Sequence, residues 1–229
     1  MNETLPNASI AGAGVIGGGT YHTVKCSGSA KVLGDLDCVY FSCAGSLKVE
    51  GNLTCHEEMK IAGSFKSEGS LSGNTVRLSG AMKLQGPLQA KDVRISGALK
   101  AEADCSAESF SLCGGVKING LLNAETVAIT IDAHNGDNDS SAIQSIGGGT
   151  VTVKGDKGHR FRRFFTRKDH CLDCELIEAD RVELEYTVAQ TVRACDAIIG
   201  AGCRIGILEY SGTLQVDDSA KIGKTVKID

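Results

Sequence analysis

Gly12, Gly14 and Gly17 spell a literal GxGxxG within ASIAGAGVIGGGTYHTV, residues 8 to 24, the spacing by which a dinucleotide pyrophosphate is held at a helix start. That chemistry needs a strand before the glycines, a helix opening at the third, and an acidic residue roughly 20 positions on. Here Thr20, Tyr21, Thr23 and Val24 follow, which favour strand and start a helix poorly. Asp35 and Asp37 stand near the required distance, but no helical period leads to them. No cofactor and no nucleotide are expected.

Two other groups invite the same question. His170, Cys171 and Cys174 in HCLDC have metal-like spacing, yet tetrahedral zinc needs a fourth ligand and no second CxxC exists. A surface turn with one inward cysteine is the simpler reading, and no metal residue is nominated. His22, His56, His134, His159 and His170 are the available general bases, and none has a recognisable companion set. With no P-loop, HExxH or GxSxG, no catalytic residue is nominated either. The chain reads as a non-enzyme.

The composition points the same way. The 229 residues hold 29 glycines, 2 prolines, no tryptophan and 4% aromatics, which suits a narrow core of small and branched side chains. A net charge of −4 makes nucleic acid an unfavoured partner for the chain as a whole. The first residues lack a basic region, and the apolar run from Ile10 to Gly19 is too short for a bilayer. Ten cysteines without an export signal read as reduced core residues. A cytoplasmic location is expected, with association at a membrane surface as a further option.

The glycines are periodic. Gly28, Gly45, Gly63, Gly80, Gly97 and Gly114 are separated by 17, 18, 17, 17 and 17 residues, and a second glycine follows six later at Gly34, Gly51, Gly69, Gly86 and Gly120. Between them, apolar residues alternate in three pairs per unit; one unit has Leu99 and Ala101, then Cys105 and Ala107, then Phe110 and Leu112. Alternation of period two means strand, and the pairs recur too often for helices to fit between. The prediction is an all-β, parallel β-helix with three short strands per rung and 17 to 18 residues per rung. The GxGxxG then becomes the opening cap of a solenoid.

The expected layout is a tail and cap over 1–21, regular rungs over 22–130, irregular loops and a basic insertion over 131–175, and further rungs with a cap over 176–229. Ile177, Ala179, Val182 and Leu184 resume the spacing of Leu122, Ala124, Val127 and Ile129. Two cationic features stand out. Arg160, Arg162, Arg163, Arg167 and Lys168 are interleaved with Phe161, Phe164 and Phe165 and form a candidate patch for an anionic partner. Lys31, Lys48, Lys66, Lys83, Lys100 and Lys117 recur once per rung between the two inward residues of the first strand, as an exposed ladder. Its simple role is to keep the surface hydrated and to discourage sideways strand addition.

A β-helix has two ends with unpaired backbone and exposed core side chains, so end-to-end assembly of copies is the physical default unless both are capped. Tyr21, Val24 and Cys26 are the candidate contacts at one end and Leu208, Tyr210, Leu214 and Val216 at the other. A charge placed at Val24 or Val216 is expected to disperse oligomers without unfolding the monomer. The alternatives are a hexapeptide-type acyltransferase, whose 18-residue coils fit poorly with four coil lengths of 17, and a monomeric β-helix that binds a polyanion or cell-wall glycan.

GSLKVEGNLTCHEEMKIAGSFKSEGSL and its repeats, with the later IEADRVELEYTVAQTVRACDAIIGAGCRIGILEY, resemble the bactofilins, polymer-forming bacterial cytoskeletal proteins, from about Gly28 to Tyr210. The late segment is similar to longer bactofilin-like proteins of Gram-positive bacteria. The resemblance implies a right-handed β-helix that polymerises end to end without nucleotide and scaffolds shape, wall or motility machinery. Its implied partners are further copies of itself, the membrane surface and cell-wall machinery.

Overall fold

The computed structural model describes residues 5–131, 141–155 and 171–228. Every regular element among them is a β-strand: β1 (Asn7–Val49), β2 (Leu53–Ser67), β3 (Leu71–Leu84), β4 (Leu88–Ala101), β5 (Cys105–Ile131), β6 (Ser141–Gly155), β7 (Leu172–Leu184), β8 (Thr187–Ile199), β9 (Arg204–Tyr210), β10 (Leu214–Val216) and β11 (Lys221–Lys227). They stack in the order β1 to β9 and then β11, with β10 on β8. The fold is a parallel β-solenoid. Leu71 pairs with Leu88 and Leu88 with Cys105, which reproduces the 17-residue step of the sequence.

Each turn turns three pairs of residues inward. In β3 these are Leu71 and Gly73, Val76 and Leu78, and Met82 and Leu84, and every one except Gly73 is fully buried. Volume is balanced within a turn rather than down a column. Phe65 shares its turn with Ser67 and Gly73, and Phe110 shares one with Ala101, Cys105 and Ala107. A close-packed core tolerates neither voids nor excess, so each phenylalanine requires small residues on the neighbouring faces.

The glycine of each turn sits at the corner between the third strand and the next first strand. Gly97 has φ +130, and a Cβ there would strike the carbonyl oxygen of Gly80 directly beneath. The backbones therefore touch along this corner, which only glycine permits.

The solenoid is longer and more continuous than the repeat suggests. Residues 7–21 form a full turn rather than a tail: Gly12 lies under Gly28, and the His22 amide donates to the Pro6 carbonyl at 2.8 Å. β6 falls within the span expected to be irregular, yet it pairs with β5 through Val127 and Val151 and with β7 through Val151 and Val182. Further on the steps tighten, Leu172 to Thr187 and Thr191 to Ile207. The periodic signal fails at these turns because insertions and shorter corners change the step while the inward pairs persist.

Candidate functional site: the two ends and the cationic faces

At the N-terminal end the turn of residues 7–21 closes over the next. Val24 and Cys26 are buried, and the partly buried Ala8 and Ile10 pack on the core outside them. Among the described residues the terminal surface therefore lies one turn further out than Val24 and Cys26, at Ala8 and Ile10. Tyr21 packs against the core and its hydroxyl donates to the Gly17 carbonyl at 3.2 Å. Small residues at Ala8, Ala11 and Ala13 give this turn a faint hydrophobic period, which hid it in the sequence.

At the C-terminal end Leu208 is fully buried, in register with Thr225 of β11. Tyr210 is in register with Lys227, whose Nζ stands 5.9 Å from its ring centroid, a cation over an aromatic face. Leu214 and Val216 rest on Ala197 and Ile199, Ile222 rests on Ile205, and Val216 is 45% exposed. All four C-terminal candidates lie on one turn, stacked on β8: β11 covers Leu208 and Tyr210, whereas no described strand lies beyond Leu214 and Val216.

Lys48, Lys66, Lys83, Lys100 and Lys117 are Cα partners on successive turns, so the ladder is continuous along one face. It is interlaced with carboxylates two residues further on. Glu50 takes Lys31 at 2.8 Å and Lys48 at 3.2 Å, Glu68 takes Lys48 at 2.9 Å, and Glu102 takes Lys100 at 3.1 Å. These contacts hold the Glu50 carboxyl below its ordinary value through Lys31 and then Lys48, and Glu102 through Lys100 and then Asn119. The Lys48 ammonium is raised by Glu68 and then Glu50.

A second cationic row went unnoticed in the sequence. Lys60, Arg77 and Arg94 are register partners on the third face, six residues before Lys66, Lys83 and Lys100. The signal was legible as a repeated basic–x–small–Gly–small–x–Lys motif at 60–66, 77–83 and 94–100. It is concealed by Ser42 and Ser111, which occupy the same column in the flanking turns.

Cysteines Cys38, Cys43, Cys55 and Cys105 are core residues, as is Cys174 of HCLDC. Burial pushes Cys43, Cys105 and Cys174 up to about 12, and Cys38 is raised by its register partner Cys55 and by burial. Among the described residues no group of three or more His, Cys, Asp or Glu is placed to hold a metal ion. Among the described residues there is no helix long and apolar enough to cross a membrane. The candidate patch of Arg160, Arg162, Arg163, Arg167 and Lys168 lies outside the described residues.

Residues 42–136 match the family model for bactofilins, described as polymer-forming cytoskeletal. Two relatives from Bacillus subtilis (strain 168) are similar over 109 residues each: the uncharacterized protein YhbF at 39% identity and the uncharacterized protein YhbE at 37%. Each match covers 48% of this chain, with 42% of YhbF and 44% of YhbE, so the chain spans less than half the length of the relatives it matches. No solved structure matches.

Proposed function

From the match of residues 42–136 to the bactofilin family model and the parallel β-solenoid of the described residues, we propose a structural subunit that joins end to end into filaments without nucleotide. The observation that carries this reading is the pair of terminal turns. Ala8 and Ile10 at one end, and Leu214 and Ile222 at the other, are partly buried hydrophobics packed against the core, with no described strand beyond them. Covering a large aliphatic side chain contributes about 1.5–3 kcal/mol, and the parallel backbone edges supply register for the next copy. The filament serves as a scaffold at a membrane surface or with cell-wall machinery.

Negative-stain electron microscopy and sedimentation of the purified chain, without nucleotide, test it. Filaments or rods that Ile10→Asp or Val216→Asp disperse, with the circular dichroism melt retained, support the reading. A monodisperse monomer across concentration and salt overturns it. Val24→Asp serves as the contrast: it buries a charge inside the solenoid and unfolds the chain rather than dispersing it.

A further inference from the structure

We propose that the glycine corner of the regular half is a binding edge for a linear polyphosphoryl chain laid parallel to the solenoid axis. A groove of about 510 Å³ lies on the third face beside this corner, from the turn of Ser42 and Ala44 to that of Ser111 and Cys113. Lys60, Arg77 and Arg94 line it, one per turn, with Ala62, Ser79 and Ser96 beside them. Across the glycines the second row, Lys66, Lys83 and Lys100, repeats at the same step. Successive cations in a row are ~4.8 Å apart along the axis, a regular track for a repeating anion.

The carboxylates are set back from the edge. Glu58 and Asp92 precede the first row by two residues, and Glu68 and Glu102 follow the second by two, so both sets lie on the sides away from the glycines. Lys60, Arg77 and Arg94 are 60%, 49% and 59% exposed, against 30% for Glu58 and 23% for Asp92. The ion pairs Lys60–Glu58 at 2.7 Å, Arg77–Glu58 at 3.4 Å and Arg94–Asp92 at 3.0 Å orient all three cations while leaving them more exposed than the two carboxylates. Small side chains at the corner let a chain approach the backbone. No aromatic residue lines the groove, so base stacking has no platform, and a grooved edge suits a single strand better than a flat bilayer.

The test is binding of inorganic polyphosphate to the full chain, by calorimetry over a salt series. Lys60→Ser, Arg77→Ser and Arg94→Ser together install the residue that Ser42 and Ser111 already place in this column, so the fold is retained. The triple variant is expected to bind at least about tenfold more weakly at low salt, and to lose about 2 from the slope of log K against log salt. Lys91→Ser, Arg181→Ser and Arg204→Ser remove the same charge elsewhere on exposed positions and are expected to leave binding unchanged. Equal weakening by both triples, or no polyphosphate binding by the unaltered chain, overturns the proposal. So does binding of oligothymidylate as tightly as polyphosphate, or of phosphatidylglycerol vesicles in its place.

Discussion

Lys48 Nζ stands 2.9 Å from Glu68 of the next turn and 3.2 Å from Glu50 of its own, so one ammonium joins two turns of the solenoid. With Lys31 on Glu50 at 2.8 Å and Lys66 on Glu68 at 3.8 Å, four ion pairs join the lysine column and the glutamate column into a zigzag of alternating sign. The repulsion expected of stacked lysines is relieved where a glutamate follows two residues on. It is not relieved in this way at Lys83, which Gln85 follows.

The zigzag makes stability depend on pH at the acid end. Glu50 and Glu102 are held below their ordinary value of 4.5, by Lys31 and Lys48 and by Lys100 and Asn119 respectively. Their contribution is complete above 4.5 and disappears as pH falls through the depressed folded-state values. The melting temperature is expected to fall on acidification below about pH 4.5, and Glu50→Gln with Glu102→Gln to flatten that fall. An unchanged acid slope in the double variant removes the ladder as its source.

Thiol chemistry should divide the cysteines by position. Cys113 and Cys195 are exposed, whereas Cys43, Cys105 and Cys174 are buried with their thiols pushed up to about 12. At neutral pH a thiol at that value holds roughly three thousandfold less thiolate than a free cysteine at about 8.5. Iodoacetamide followed by peptide mass spectrometry is expected to mark Cys113 and Cys195 first, and the buried set only after denaturation. Early labelling of Cys105 or Cys174 contradicts the packing described for them.

The glycine corner should be intolerant of a single methyl group. Gly97→Ala forces φ +130 on an alanine and drives its Cβ into the Gly80 carbonyl, and is expected to cost about 2–4 kcal/mol. Gly17→Ala meets nothing within 4 Å and should be close to neutral. Urea unfolding of the two variants measures the difference. Equal midpoints would mean that the corner relaxes.

Much of this architecture was legible because a solenoid repeats its local rules. The 17-residue glycine step, the three inward pairs and the lysine ladder all appear in the sequence at the positions where the register places them, as with Lys66 on Lys83. The turn of residues 7–21 escaped notice because alanine and glycine carry little hydrophobic contrast. β6 escaped because the steps from Val127 to Val151 and from Val151 to Val182 are longer than the regular coil. The Lys60, Arg77 and Arg94 row is faint in the sequence because serines hold its column in the flanking turns.

The sequence by itself determined the strand period, the identity of the inward residues and the corners that must be glycine. These are local consequences of side-chain alternation and of backbone contact between neighbouring turns. Only the tertiary structure decided which described turn is outermost at each end. Whether Val24 is an end or an interior residue depends on Ala8 stacking outside it, and whether Tyr210 is exposed depends on Lys227 beyond it. The same holds for the glycine edge, where residues six apart in sequence become two facing rows only once successive turns are stacked. Periodicity specifies what one turn buries; the order of stacking specifies which surfaces remain for a partner.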